Sequence, residues 1–264
     1  IVFIDCGITD LDSFLAGLRP DVEPIVLAPG ENAPAQIAEA LCGRSALAAI
    51  HIVAHGQAGQ VSFDSGPLSL ETVSNHVDEL AAIGQALGDD GNLLLWTCRT
   101  AQGERGHAFV QTLARISGAT VEASTKLVGA QDRGGWWELD TQSGMRKATA
   151  PLTPAGRTNY AGVMATFNGT NGDDTADATN GTLTGFTGGT VAALQDGTGD
   201  TFNALGGNDI INAGAGDDRV YSAGGIDTID GGAGSDTIDL ANFNGSGDIL
   251  CSAVKAVANG RGFA

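Results

Sequence analysis

Basic residues are nearly missing from one stretch of this 264-residue chain: between Asn168 and Leu250 stand thirteen Asp, no Glu, and Arg219 as the single basic residue. Nucleic acid is excluded as a partner for such a surface, since phosphate binding needs Lys and Arg. A merely solubilising acidic face mixes Glu with Asp. Asp alone argues for short carboxylates held in tight loops, and these suit hard cations. Cysteine is scarce as well. Cys6, Cys42, Cys98 and Cys251 are too few and too scattered for a disulfide framework, and with no CxxC pair a zinc site has no support. No run of eighteen apolar residues occurs, so no membrane span is expected. The start, "IVFIDCGITD", lacks the basic n-region of a signal peptide. The expectation is a chain that begins after processing or leaves by a route without such a signal. What remains, 42% apolar residues under a net charge of −18, is enough for one sizeable core and a smaller second module.

Up to about residue 150, short apolar runs alternate with helical periodicity. "IVFID" (1–5), "PIVLA" (24–28), "AIHIVAH" (49–55), "NLLLWTC" (92–98) and "TVEAS" (120–124) read as strands. Between them, "DLDSFLAGL", "APAQIAEALCG", "LSLETVSNHVDELAAIGQAL" and "GHAFVQTLARISG" carry apolar residues at three- and four-residue spacing, as amphipathic helices do. The alternation predicts an α/β domain over 1–150 with a mostly parallel sheet covered by helices on both faces. "GGWWELDTQSG" reads as a further strand or hairpin. From "TAPLTPAGRTNYAG" onward, prolines and small residues predict a linker over 151–194.

Beyond it lies a repeat. In nines from Gln195 the blocks are "QDGTGDTFN", "ALGGNDIIN", "AGAGDDRVY", "SAGGIDTID" and "GGAGSDTID". The sixth position is always Asp (Asp200, Asp209, Asp218, Asp227, Asp236), and the eighth is Phe202, Ile211, Val220, Ile229 or Ile238. An earlier fragment, "GTNGDDTAD" from Gly169, fits the same template out of phase. Early glycines permit turns with positive φ, and the lone apolar residue needs stacked turns to bury it. The tract, 195–240, resembles the RTX calcium-binding nonapeptide family. That resemblance implies a parallel β-roll in which Ca²⁺ is held by Asp200, Asp209, Asp218, Asp227, Asp236 and, in the earlier fragment, Asp174. Turn carbonyls join them, with Gly207, Gly214, Gly216, Gly225, Gly232 and Gly234 as candidates. It also implies an extracellular or cell-surface protein exported by a type I system, with self-association among its options. Without calcium, like charges with almost no basic neighbour predict a disordered tract. The tail, 241–264, is a poor continuation of the repeat.

Two strands of the first domain end in chemically capable residues: "HIVAHG" in His55-Gly56 and "LLLWTC" in Cys98. In an open α/β sheet the carboxyl ends of strands are where sites assemble, and an imidazole close to a thiol can generate the thiolate. The arrangement resembles the caspase-like cysteine peptidases, and the whole first domain resembles an uncharacterised domain of large secreted bacterial repeat proteins. Carried over by position, the likeness implies His55 as general base, Cys98 as nucleophile, and backbone N–H groups near Gly56 and Cys98 as an oxyanion hole for a peptide or protein substrate. The chain departs from that pattern: Trp96-Thr97 precedes the cysteine and Arg99 follows it, where the caspases have a short Gln-Ala and then Gly. Three functions stay open: a secreted, self-processing endopeptidase; a hydrolase of another bond; and a non-catalytic, adhesin-like protein in which the α/β domain docks. Other candidates read as structural. His51 belongs to the sheet, His76 and His107 to helix surfaces or caps, and Cys42 to a buried helix end, while Cys6 borders the strand ends.

Overall fold

The computed structural model describes every residue except 9, 132–133, 142–147, 163–165, 196, 198, 240–249 and 253–264, so most of the tail lies outside the described residues. The chain divides into two compact units, Ile1–Met164 and Ala165–Ala264.

In chain order the first unit contains β1 (Val2–Ile4), α1 (Leu11–Ala16), β2 (Pro24–Val26), α2 (Ala33–Ala40), β3 (Leu47–Val53), β4 (His55–Gln57), β5 (Gln60–Phe63), β6 (Gly66–Ser69), α3 (Val77–Gln85), β7 (Leu87–Trp96), α4 (Gly103–Ser117), β8 (Thr120–Glu122) and α5 (Pro154–Asn159). The five strands read from apolar runs form one parallel sheet, ordered β2-β1-β3-β7-β8. Its central strands are buried on both faces. Phe3, Ile50, Ile52, Leu93 and Leu95 share one core with Ile37, Leu80, Ile83, Phe109 and Leu113 from the helices. Val53 pairs with Trp96 at the end of the β3–β7 ladder, so the chain leaves both strands at the same edge.

Three stretches differ from the sequence reading. Residues 55–69 form a separate antiparallel sheet, β4-β5-β6, where the helical spacing of "LSLETV" suggested a helix from 68; α3 begins only at Val77, after a short 3-10 turn. The "GGWWELD" segment contains no strand. Trp137 instead packs against Phe14, Trp96 and Tyr160. Residues 151–162, read as linker, pack onto the first unit. Thr153 caps α5 by accepting the Gly156 N–H, with Pro154 at the first helical position, so the residues that suggested a linker are helix-start residues. The Thr153 N–H donates to Gly17 O at 2.9 Å, and Arg19 N–H to Pro151 O at 2.9 Å. A Cβ on Gly156 would overlap Gly17 O, so α1 and α5 meet backbone to backbone.

The second unit contains β9 (Thr166–Asn168), β10 (Thr175–Asp177), β11 (Thr182–Thr184), α6 (Val191–Leu194), β12 (Thr201–Gly206), β13 (Ile210–Asn212), β14 (Arg219–Gly224), β15 (Thr228–Asp230), β16 (Thr237–Asp239) and β17 (Leu250–Ser252). From β12 on, the chain alternates between two sheets, ordered β16-β14-β12-β9 and β11-β10-β13-β15-β17, and every pairing except β10–β11 is parallel. The eighth-position residues Phe202, Ile211, Val220, Ile229 and Ile238 are all buried between the turns. Residues 166–194, also read as linker, belong with these sheets: Phe167 stacks on Phe202 at 4.9 Å between centroids, and β10 pairs with β13.

Candidate functional site

The carboxyl edge of the first sheet brings Asp5-Cys6-Gly7, His55-Gly56 and Thr97-Cys98 together as strand ends. His55 is buried, and its Nε2 lies 3.0 Å from Gly7 O; a carbonyl only accepts, so Nε2 carries the hydrogen. Cys98 is 0% exposed. The Val128 N–H donates to its sulfur at 3.1 Å, and the sulfur faces Val128 O at 3.5 Å. Gly7 follows β1 and Val128 follows β8, so these two contacts hold the imidazole and the sulfur from opposite flanks of the β3–β7 pair. A Cβ on Gly56 would lie 2.7 Å from Thr100 Oγ1 and 2.8 Å from Thr97 Cβ. The space over this glycine is filled by the chain's own Thr97–Thr100 turn. Tyr160 lies near Cys98, and burial above all holds its phenol well above the usual range, with the charges of Cys98 and Asp10 adding to that.

The remaining histidines and cysteines are placed as follows. Trp96 Nε1 donates to His51 Nδ1 at 2.9 Å, and burial above all lowers the His51 pKa to about 3. His51 is thus a neutral core acceptor. His107 is exposed, its Nδ1 3.3 Å from Gly103 O, and His76 closes the 3-10 turn before α3. Cys42, expected to be buried, is exposed, because it lies in the turn after α2, past the face that carries Ile37 into the core. Cys6 is half-buried.

In the second unit the sixth-position aspartates stack eighteen residues apart. Asp200 N–H donates to Asp218 Oδ1 at 2.7 Å, Asp218 N–H to Asp236 Oδ1 at 2.9 Å, and Asp209 N–H to Asp227 Oδ1 at 2.9 Å; Asp174 N–H continues this last column by donating to Asp209 Oδ1 at 2.9 Å. One oxygen of each upper carboxylate therefore satisfies the turn beneath. The other oxygens, Oδ2 of Asp209, Asp218 and Asp236, are buried with no hydrogen-bond partner. Burial is the chief reason that the pKa of Asp209 and of Asp218 is pushed up to about 7. Carboxylates left in this state call for a cation or a proton.

The turn glycines fit the same requirement. Gly207, Gly214, Gly216, Gly225, Gly232 and Gly234 all have positive φ. A Cβ on Gly225 would overlap Gly207 O, and one on Gly234 would overlap Gly216 O, so carbonyl oxygens face the next turn where only glycine leaves room. Among the described residues no three His, Cys, Asp or Glu side chains converge on one point. The oxygens these turns do present are carboxylates together with backbone carbonyls, the kind of donor set that calcium takes.

An α/β domain with capable strand-end residues, joined to stacked calcium-binding turns, is the class of protein that this fold defines. Residues 1–164 match the family described as "Domain of unknown function (DUF4347)", and the chain belongs to that family. Residues 196–229 and 223–246 match the RTX calcium-binding nonapeptide repeat, so the second unit carries calcium-binding repeats. No curated protein and no solved structure matches the chain.

Proposed function

We propose that the second unit is a parallel β-roll that folds as it takes up calcium, and that it belongs to an exported protein acting outside the cell or at its surface. The observation that carries this reading is the set of buried, unpartnered Oδ2 atoms of Asp209, Asp218 and Asp236. Calcium supplies the positive charge that these oxygens lack, and the glycine carbonyls of adjoining turns complete its oxygen shell. Extracellular calcium modules work at about 10⁻⁴–10⁻³ M, so the cytosol would leave such sites empty and the unit unfolded before export by a type I route. The test is circular dichroism of the full chain during calcium addition and chelation. β-structure gained with calcium and lost with chelator is expected; a spectrum indifferent to both would overturn the reading.

For the first unit, the reading that its strand ends favour is a caspase-like Cys-His endopeptidase, acting on a peptide bond of its own or another chain. Support comes from the placement of His55 and Cys98 after adjacent parallel strands. Because Cys98 is 0% exposed and bonded to Val128, that activity requires the loop after β8 to move aside. A thiol-reactive peptide probe tests it. Labelling of Cys98 that is lost in His55→Ala supports the peptidase, whereas labelling confined to Cys42 and Cys6 leaves the unit as a docking module.

A further inference from the structure

The two columns of aspartates are not equivalent. One contains Asp200, Asp218 and Asp236, the other Asp174, Asp209 and Asp227, and the columns alternate along the chain. In the first column the turns 213–218 and 231–236 read "AGAGDD" and "GGAGSD", with Gly at the second and fourth positions. In the second column the turns 204–209 and 222–227 read "ALGGND" and "SAGGID", with Gly at the third and fourth. Here β12 and β14 run on into the turn, to Gly206 and Gly224, whereas β13 and β15 stop at Asn212 and Asp230.

The carboxylates differ accordingly. Asp218 and Asp236, 2% and 3% exposed, each keep an unpartnered Oδ2. In the second column the Ser222 hydroxyl donates to Asp227 Oδ2 within the same turn. Asp174 is closed in a similar way: its Oδ2 accepts the Thr170 N–H at 2.5 Å and the Thr170 hydroxyl lies 3.1 Å from both oxygens. Between them Asp209 keeps an open Oδ2, because Ala204 stands where the next turn of that column has Ser222.

We infer that calcium uptake is selective among these turns, with Ser222 and Thr170 standing in for a cation at Asp227 and Asp174, so that ions collect along the Asp218–Asp236 column and, in the second column, at Asp209 alone. This rests on the calcium reading above. A hydroxyl hydrogen bond gives the buried carboxylate the donor that it needs without a second charge, so the turn closes before any ion arrives. A turn so closed has less to gain from calcium than an open one, and the second column becomes a partly formed template on which the first is laid.

Calcium bound per molecule of the full chain, measured by equilibrium dialysis, tests the assignment. Asp218→Asn and Asp236→Asn are expected to lose calcium, while Asp227→Asn leaves the amount bound unchanged. Exchanging the hydroxyls gives the reciprocal result. Ser222→Ala frees Asp227 and raises uptake by about one ion, and Ala204→Ser closes Asp209 and lowers it by about one. Both exchanges alter a single oxygen atom and keep the fold within reach. Equal losses in Asp227→Asn and Asp218→Asn, or a fall in uptake with Ser222→Ala, would overturn the selective assignment while leaving calcium binding intact. A wild-type chain that takes up no calcium would instead remove the reading beneath it.

Discussion

His51 and the repeat aspartates titrate in opposite senses, and each sign follows from burial. The pKa of His51 is depressed to about 3 from an ordinary 6.5, so the folded first unit binds fewer protons than the unfolded chain. Its contribution to stability is complete above pH 6.5 and fades as the pH falls below that value. Urea unfolding of the first unit is therefore expected to shift to lower urea between pH 7 and pH 5. In His51→Leu this pH effect should shrink, and the midpoint at pH 7 should fall because Trp96 Nε1 loses its acceptor, at a cost of about 1–3 kcal/mol. Asp209 and Asp218 move the other way, up to about 7 from 3.8. Without calcium the folded repeat unit holds more protons than the unfolded chain, so its stability is greatest at acidic pH and falls as the pH rises through 7. In chelator, the β-signal of the repeats should be stronger at pH 5 than at pH 8, and calcium should abolish the difference. A signal that rose with pH in chelator would contradict the burial of these carboxylates.

At the scale of elements, α5 shows how chain signals mislead. Gly156→Ala would force a methyl group into the Gly17 backbone, and a cost of about 1–3 kcal/mol is expected. Trp137, packed 5.8 Å from the Tyr160 ring, should report it as an earlier fluorescence transition. The parallel strands were legible because β1, β3 and β7 are buried on both faces, which leaves near-continuous Ile, Val and Leu in the sequence. The antiparallel β4–β6 was not legible, since its three- and four-residue strands are too short for an alternation to stand out beside a helical spacing. The Asp phase was legible over five turns because every period repeats the same demand for a tight turn and one core residue. Strands β9 and β11 escaped because an insertion between Asn180 and Gln195 breaks that phase; β10 lies in the fragment read out of phase from Gly169, and Phe167 and Ala176 bury like eighth-position residues. At the strand ends, the residue types were visible at His55 and Cys98. Their partners were not, because Gly7 and Val128 contribute only backbone atoms, which no side-chain pattern records.

For the molecule as a whole, the alternation of chain between two sheets makes eighteen residues, not nine, the unit that can be gained or lost without rearrangement. Excising 204–221 removes one complete coil and sets Ser222 in register beneath its former neighbour, with every later residue still in its own sheet. Excising only 213–221 sends each later strand across to the other sheet and places the Ser222 turn in the column of Asp200. The shorter deletion is expected to damage calcium-dependent refolding more than the longer one, as read by the amplitude of the calcium-induced β-signal. Growth and loss of such tracts by duplication should then proceed in pairs of repeats, and an odd count would mark a place where the two columns of turns have exchanged their chemistry.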